Sequence, residues 1–188
     1  MCNRIFGPMP GYTVQNRRII KKTPLPKIDS TPQPVVEKML ELINPSSDDI
    51  LYDLGCGDGR FVITAAKKYG CKAVGIEINR AIANKVYRRV KREGLDNLVK
   101  IYCGDARKSD ISDASIIVLY LFPDLIEELQ PTIFTASKII SYSHRIPNQP
   151  NTEMTIHVDG KNYPVYIWQN PWSLHEKKEN WSLKARGL

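Results

Sequence analysis

Ile50-Leu51-Tyr52-Asp53-Leu54-Gly55-Cys56-Gly57-Asp58-Gly59-Arg60 decides how the rest of this chain is read. An apolar run leads into an acid, then into glycines at alternate positions, then into the apolar-periodic start of a helix. A strand that ends in a glycine turn lets a ligand approach the backbone, because glycine has no Cβ and tolerates positive φ. Dinucleotide folds normally carry GxGxxG here and hold a pyrophosphate on the helix N-terminus. This chain reads GxGxG, with Arg60 after the third glycine and Asp53 two residues before the first. A carboxylate beside a pyrophosphate repels it, whereas one beside the ammonium of an amino-acid-bearing cofactor attracts it.

Two further acids extend the pattern. Lys72 to Glu77 reads as a second strand ending in Glu77, and Val99 to Cys103 as a third ending at Gly104-Asp105. Helices are predicted over 59–69, closed by Gly70, and over 79–93, with Gly94 as C-cap. The continuous apolar run Ser115 to Leu121 fits a strand buried on both faces. Pro123 then opens a short helix to about Leu129, and Lys138 to Ser143 is a fifth strand. Upstream, Thr31 reads as an N-cap with Pro32 at the first helical position. Val35, Val36, Met39, Leu40 and Ile43 follow at helical spacing. Alternating strands and helices over 50–143 imply βαβ units and a parallel sheet. Beyond them, 155–158 and 165–168 flank Asp159-Gly160 as a hairpin.

Asp53, Glu77 and Asp105 therefore fall at the C-terminal ends of three successive strands, the edge where open parallel sheets bind ligands. Together with the glycines Gly55, Gly57 and Gly59, they match S-adenosylmethionine (SAM) binding, and the chain resembles the class I methyltransferases. Asp53 is expected near the amino-acid end of SAM and Glu77 at both ribose hydroxyls. Asp105 is expected at the adenine amino group, with Ile78 and Ala106 flanking the ring. A simpler reading of each acid is that it caps the following helix.

The resemblance narrows. Thr31 to Ile43 (TPQPVVEKMLELI), DDILYDLGCGDGRFVITAAK, KAVGIEIN and SIIVLYLFPDLIEELQP resemble a lysine methyltransferase family. Its members include the archaeal broad-specificity protein lysine methyltransferase and the mitochondrial ATP synthase c-subunit enzymes. The likeness runs from about residue 28 to 168 and includes Ser143-His144. It implies a seven-stranded α/β, Rossmann-like, mostly parallel sheet with helices on both faces and an antiparallel strand from the late hairpin. It also implies that Thr31 and Pro32 sit over the cofactor and that the acceptor is a protein lysine. The chain departs from the family at Ile28-Asp29-Ser30, at Ile126 and at Arg145, positions expected near the acceptor entrance.

Tyr120, Leu121 and Phe122 at the end of the fourth strand are expected to build an apolar channel that lowers the pKa of an amine by desolvation. Tyr120 is the expected acceptor-site residue, in a positioning role, and an ordinary core aromatic is the alternative. His144 is a second candidate, to hydrogen-bond the amine or take a proton through water. No metal site is expected, because the His and Cys residues are scattered.

The chain has 188 residues, 42% of them apolar, and a net charge of +7. That suits one domain, expected over 31–169, with a basic irregular segment over 1–30 and a tail over 170–188. No apolar run spans a membrane. Met1 to Tyr12 lacks the apolar stretch of a secretory signal, and four cysteines without a CxxC pair fit a reduced cytosol, so a cytoplasmic location is expected. The charge makes nucleic acid a second candidate acceptor. Against amino-methylation of a base, Leu121-Phe122-Pro123-Asp124 stands where such enzymes carry a double proline and an aromatic. A non-catalytic SAM-binding module is a third reading, which the intact glycines and acids oppose.

Overall fold

A computed structural model describes residues 30–170. The segments expected to precede and follow the domain lie outside the described residues, apart from Ser30 and Asn170. The chain runs α1 (Gln33–Ile43), β1 (Ile50–Leu54), α2 (Arg60–Tyr69), β2 (Lys72–Glu77), α3 (Arg80–Arg92), β3 (Val99–Cys103), a 3-10 turn (Ala106–Lys108), β4 (Ile116–Leu119), α4 (Pro123–Ile133), β5 (Lys138–Tyr142), β6 (Thr152–Val158) and β7 (Lys161–Gln169).

One seven-stranded sheet results, in the order β3-β2-β1-β4-β5-β7-β6. Strands β1 to β5 are parallel, and β7 inserts antiparallel between β5 and β6. From β1 the chain winds outward through β2 to β3, then returns to β4 on the other side of β1. That reversal opens a crevice above the C-terminal ends of β1 and β4.

Alternate side chains of each central strand enter different layers. Leu51, Ala73, Val118 and Ile140 pack with α1, α2 and α3. Leu54, Ile76, Leu119 and Ile139 pack with Ile126, Leu129 and Ile133 of α4. This two-sided burial explains why β4 reads as an unbroken apolar run.

Four local expectations need correcting. Thr31 does not cap α1. Pro32, extended at φ −55° and ψ 141°, is the N-cap, no side chain caps the helix, and the Val35 and Val36 N–H groups donate to Pro32 O at 2.9 and 3.0 Å. Strand β4 stops at Leu119 instead of Leu121. Its partner β1 ends at Leu54, opposite Leu119, and its ladder with β5 also ends at Leu119, opposite Ser141. Helix α4 continues past Leu129 to Ile133 although Pro131 lies inside it. Ile126, Leu129 and Ile133 are fully buried, and that apolar stripe outweighs the missing donor. Glu93, not Gly94, is the C-cap of α3. Gly94 follows at φ 67°, with Gly94 N donating to Lys91 O and Leu95 N to Val90 O, a Schellman ending.

The hairpin is longer than its apolar core suggested, pairing 152–158 with 161–167. Asp159 and Gly160 both take positive φ, 48° and 70°, as the tightest right-twisted hairpins require.

Candidate functional site

The glycine turn is tied down by its own backbone. Gly55 N and Cys56 N both donate to Ile76 O, at 2.8 and 2.9 Å. Gly55 (φ 84°), Gly57 (φ 52°) and Gly59 (φ 77°) are left-handed, which is why the motif spaces them alternately. A Cβ on Gly55 would lie 2.9 Å from Leu121 Cδ2, and one on Gly59 2.3 Å from Val86 Cγ1.

Asp53, on β1, is 5% exposed. Burial, then the Glu77 and Asp58 carboxylates, push its pKa up to about 8. Among the described residues the charges acting on it are those of acids, so its surroundings have negative potential and favour a cationic ligand group. The same surroundings, burial first, hold the Cys56 thiol well above its ordinary value. Cys56 therefore stays protonated and is no nucleophile.

Glu77 closes β2. Its Oε2 accepts from Gly57 N at 3.0 Å and its Oε1 from Asn79 N at 2.7 Å. One carboxylate thus joins the glycine turn to the start of α3, where the Asn79 side chain accepts from the Ala81 and Ile82 N–H groups. Each oxygen retains a second lone pair for a ligand hydroxyl.

Asp105 caps the 3-10 turn, accepting from Arg107 N at 3.0 Å. The Arg107 guanidinium also donates to both its oxygens, Nε to Oδ1 at 3.0 Å and Nη2 to Oδ2 at 2.7 Å. The Arg107 hydrogen bond, against a smaller effect of burial, lowers the Asp105 pKa. The guanidinium reaches Glu128 of α4 at 3.1 Å as well. The capping reading and the ligand reading of Asp105 meet in one residue, and Arg107 carried no signal in the sequence.

Two cavities flank Gly55. The larger, about 590 Å³, lies between Glu77, Ile78, Asp105 and Ala106 on one side and Leu121 and Phe122 on the other. Ile78 is 69% and Phe122 80% exposed, so two large apolar side chains form its lips. The smaller, about 40 Å³, is bounded by Thr31, Asp53, Gly57, Asp58, Phe61 and Tyr120. Arg60 joins its walls, donating from Nε to Asp58 Oδ1 at 2.8 Å and from Nη1 to Thr31 O. Burial raises the Asp58 pKa, but the Arg60 hydrogen bond and charge outweigh it and leave the group lowered.

The structure thus brings Thr31, Asp53, Gly55, Gly57, Glu77, Ile78, Asp105, Ala106 and Tyr120 around one crevice, while Gly59 lines neither cavity and packs closely against Val86. Pro32 heads α1 beside it. His144 is not among the residues lining either cavity; its carbonyl accepts from Ser141 Oγ at 2.5 Å. Ile126 is fully buried beneath the sheet, not at an entrance, because α4 turns that position into the core. The Tyr120 ring lies 4.5 Å from that of Tyr142, which lies 6.1 Å from that of Tyr163. Among the described residues no cluster of His, Cys, Asp or Glu is arranged to hold a metal.

This crevice fits a nucleoside linked to an amino acid. The larger cavity offers apolar lips and two acids, Gly55 leaves the backbone open between the cavities, and Asp53 supplies a buried carboxylate to meet an ammonium.

Comparison with known proteins agrees. The sequence model of the ANTKMT methyltransferase domain matches residues 53–153. The chain is 35% identical over 144 residues to a protein-lysine N-methyltransferase of Saccharolobus islandicus, spanning 73% of this chain and 89% of that protein. It is 36% identical over 113 residues to the human ATP synthase c-subunit lysine N-methyltransferase, spanning 59% of this chain and 46% of that longer protein. Among solved structures, an RNA methyltransferase from Salinibacter ruber in complex with S-adenosyl-L-homocysteine is 37% identical with a TM-score of 0.69, covering 76% of this chain and 94% of that one. The chain belongs to the ANTKMT methyltransferase family and is an S-adenosylmethionine-dependent methyltransferase.

Proposed function

We propose that this enzyme methylates lysine side chains of a protein. The observation that carries the proposal is the position of Tyr120, an aromatic wall of the small cavity that also holds Asp53. SAM supplies an activated methyl group: a nitrogen–carbon bond forms, the carbon–sulfur bond breaks, and the ammonium proton of the acceptor passes to solvent. The protein's part is alignment, which contributes ~7–11 kcal/mol in well-oriented systems.

Each residue has a stated task. Asp53 pairs with the ammonium of the cofactor's amino-acid part. The glycines let the backbone approach it, and the Thr31-Pro32 segment covers it. Glu77 accepts from ribose hydroxyls while holding Gly57 and Asn79. Asp105 accepts from the adenine amino group, between Ile78 and Ala106. At pH 7 only about one lysine in 2,500 is neutral at its reference pKa. Tyr120 desolvates the amine and lowers that pKa, whereas Leu121 and Phe122 stand on the larger cavity. His144 is assigned no contact with the acceptor in the conformation described.

The protein-lysine N-methyltransferase of Saccharolobus islandicus, which this chain matches over 89% of its length, supports this reading. So does the lip sequence Leu121-Phe122-Pro123, which lacks a second proline. A second reading, RNA as acceptor, is favoured by the Salinibacter structure, titled an RNA methyltransferase, and by the net charge of +7. Methyl-labelled SAM and a host-cell extract separate the two. Label removed by protease and found on lysine supports the proposal, whereas label removed by nuclease refutes it.

A cytoplasmic location and a catalytic domain over 31–169 belong to the same proposal. No helix among the described residues is long and apolar enough to cross a membrane. Cys56, Cys71 and Cys103 form no disulfide with one another.

A further inference from the structure

Three tyrosines from three separate elements stand in a row at the C-terminal edge of the sheet. Tyr120 follows β4, Tyr142 ends β5 and Tyr163 lies on β7. Tyr120 lines the small cavity with Asp53, and the ring centroids follow at 4.5 and 6.1 Å, tilted by 55° and 40°. All three rings are half-buried, unlike Tyr52 in the core, which is 6% exposed.

The row is held by backbone. Tyr142 pairs with Val165 of β7, and Tyr163 with Ile156 of β6. Between them Ser143, a non-glycine residue at φ 70°, donates its N–H to Pro164 O at 2.9 Å. That bond joins the residue after Tyr142 to the residue after Tyr163 and fixes the spacing of the two rings. A positive φ away from glycine is uncommon and costs energy that the surroundings must offset. Here it turns the chain immediately after Tyr142.

We propose that Tyr120, Tyr142 and Tyr163 form one aromatic track that admits the acceptor alkylammonium across the β5–β7 seam and leads it to the small cavity at Tyr120, with Tyr163 at the outer end and Tyr142 positioning Tyr120. The proposal rests on the lysine reading above and adds the route and two residues that the sequence did not single out. The chemistry follows from the rings. Their faces attract a cation within about 6 Å, so a charged amine is held at the outer end. Further in, contact with half-buried aromatic surface replaces water around the amine and favours its neutral form. Apolar ring faces also suit the four-carbon stem of a lysine.

The test uses the full chain and the variants Tyr142→Leu, Tyr163→Leu, Tyr142→Phe and Tyr163→Phe. The initial rate of lysine labelling in a host extract is compared with S-adenosylhomocysteine affinity by calorimetry, which also reports folding. A separate measurement titrates n-butyltrimethylammonium, a mimic of the acceptor tail, and follows tyrosine ring resonances by NMR. The track requires each Leu variant to lose about tenfold in labelling at low extract concentration. Labelling should recover as extract is raised, S-adenosylhomocysteine affinity should stay within about twofold, and the ring shifts should disappear. Both Phe variants should behave like the parent. Leu variants that label lysine as the parent does, or unchanged shifts with the probe, would overturn the track while leaving the lysine reading intact. Label on nucleic acid from the parent would overturn both.

Discussion

The proposed pairing of Asp53 with the cofactor's ammonium predicts that cofactor binding releases a proton. Burial, with Glu77 and Asp58 adding to it, raises the group to about 8, so at pH 7 roughly nine molecules in ten carry the neutral acid. Pairing with a ligand ammonium requires the carboxylate. Binding S-adenosylhomocysteine at pH 7 therefore expels that proton, while the ligand's amino group, about nine-tenths charged already, takes up a small fraction. The net release is about 0.8 proton, and affinity should fall about eightfold between pH 7 and pH 6, where the carboxylate form becomes tenfold rarer. Calorimetry at pH 7 in two buffers of different ionisation enthalpy counts the protons directly. Asp53→Asn should bind far more weakly and release none. The stability change has the opposite sign. An acid raised in the folded state opposes folding progressively from the ordinary carboxylate range up to about pH 8, and by a constant amount above it. Replacing it with the neutral amide should stabilise the unliganded protein on the order of 4 kcal/mol at pH 7. Binding by the parent with no proton exchange, and with equal affinity at pH 6 and pH 7, would refute the reasoning.

Gly59→Ala places a Cβ 2.3 Å from Val86 Cγ1 at φ 77°; a loss of about 2–4 kcal/mol in denaturant unfolding is expected, since strain and overpacking add. Glu77→Gln leaves one acceptor for two backbone donors, Gly57 N and Asn79 N. It should cost about 1–3 kcal/mol of stability and weaken S-adenosylhomocysteine, both measurable on one sample. Arg107→Ala removes the guanidinium from both Asp105 oxygens, leaves only the backbone N–H of residue 107 on Oδ1, and should tighten cofactor binding several-fold in calorimetry. Weaker binding would mean that the arginine, not Asp105, meets the ligand.

The proposed cofactor half of the site was legible as a crevice because its signals are local. Positive φ at Gly55, Gly57 and Gly59, an acid at each of three strand ends, and helices on either side of the second strand follow from short-range rules of backbone and side-chain chemistry. Arg107 was not legible, because its partners Asp105 and Glu128 are joined only when α4 packs beside β3's end. Tyr142 read as an ordinary strand residue and Tyr163 fell between the predicted hairpin strands; nothing in their own segments marks them. Ile126 was expected near an entrance, but on α4 it shares the buried stripe with Leu129 and Ile133.

By itself the sequence determined the strand and helix alternation, the glycine turn and the acids that edge it, since each depends on a few neighbouring residues. Only the tertiary structure decided where β4 ends, how Arg107 engages Asp105, that His144 stays out of the cavity walls and which tyrosines meet. Those outcomes depend on sheet register and layer packing, which bring together segments far apart along the chain and leave no periodic trace within any one of them.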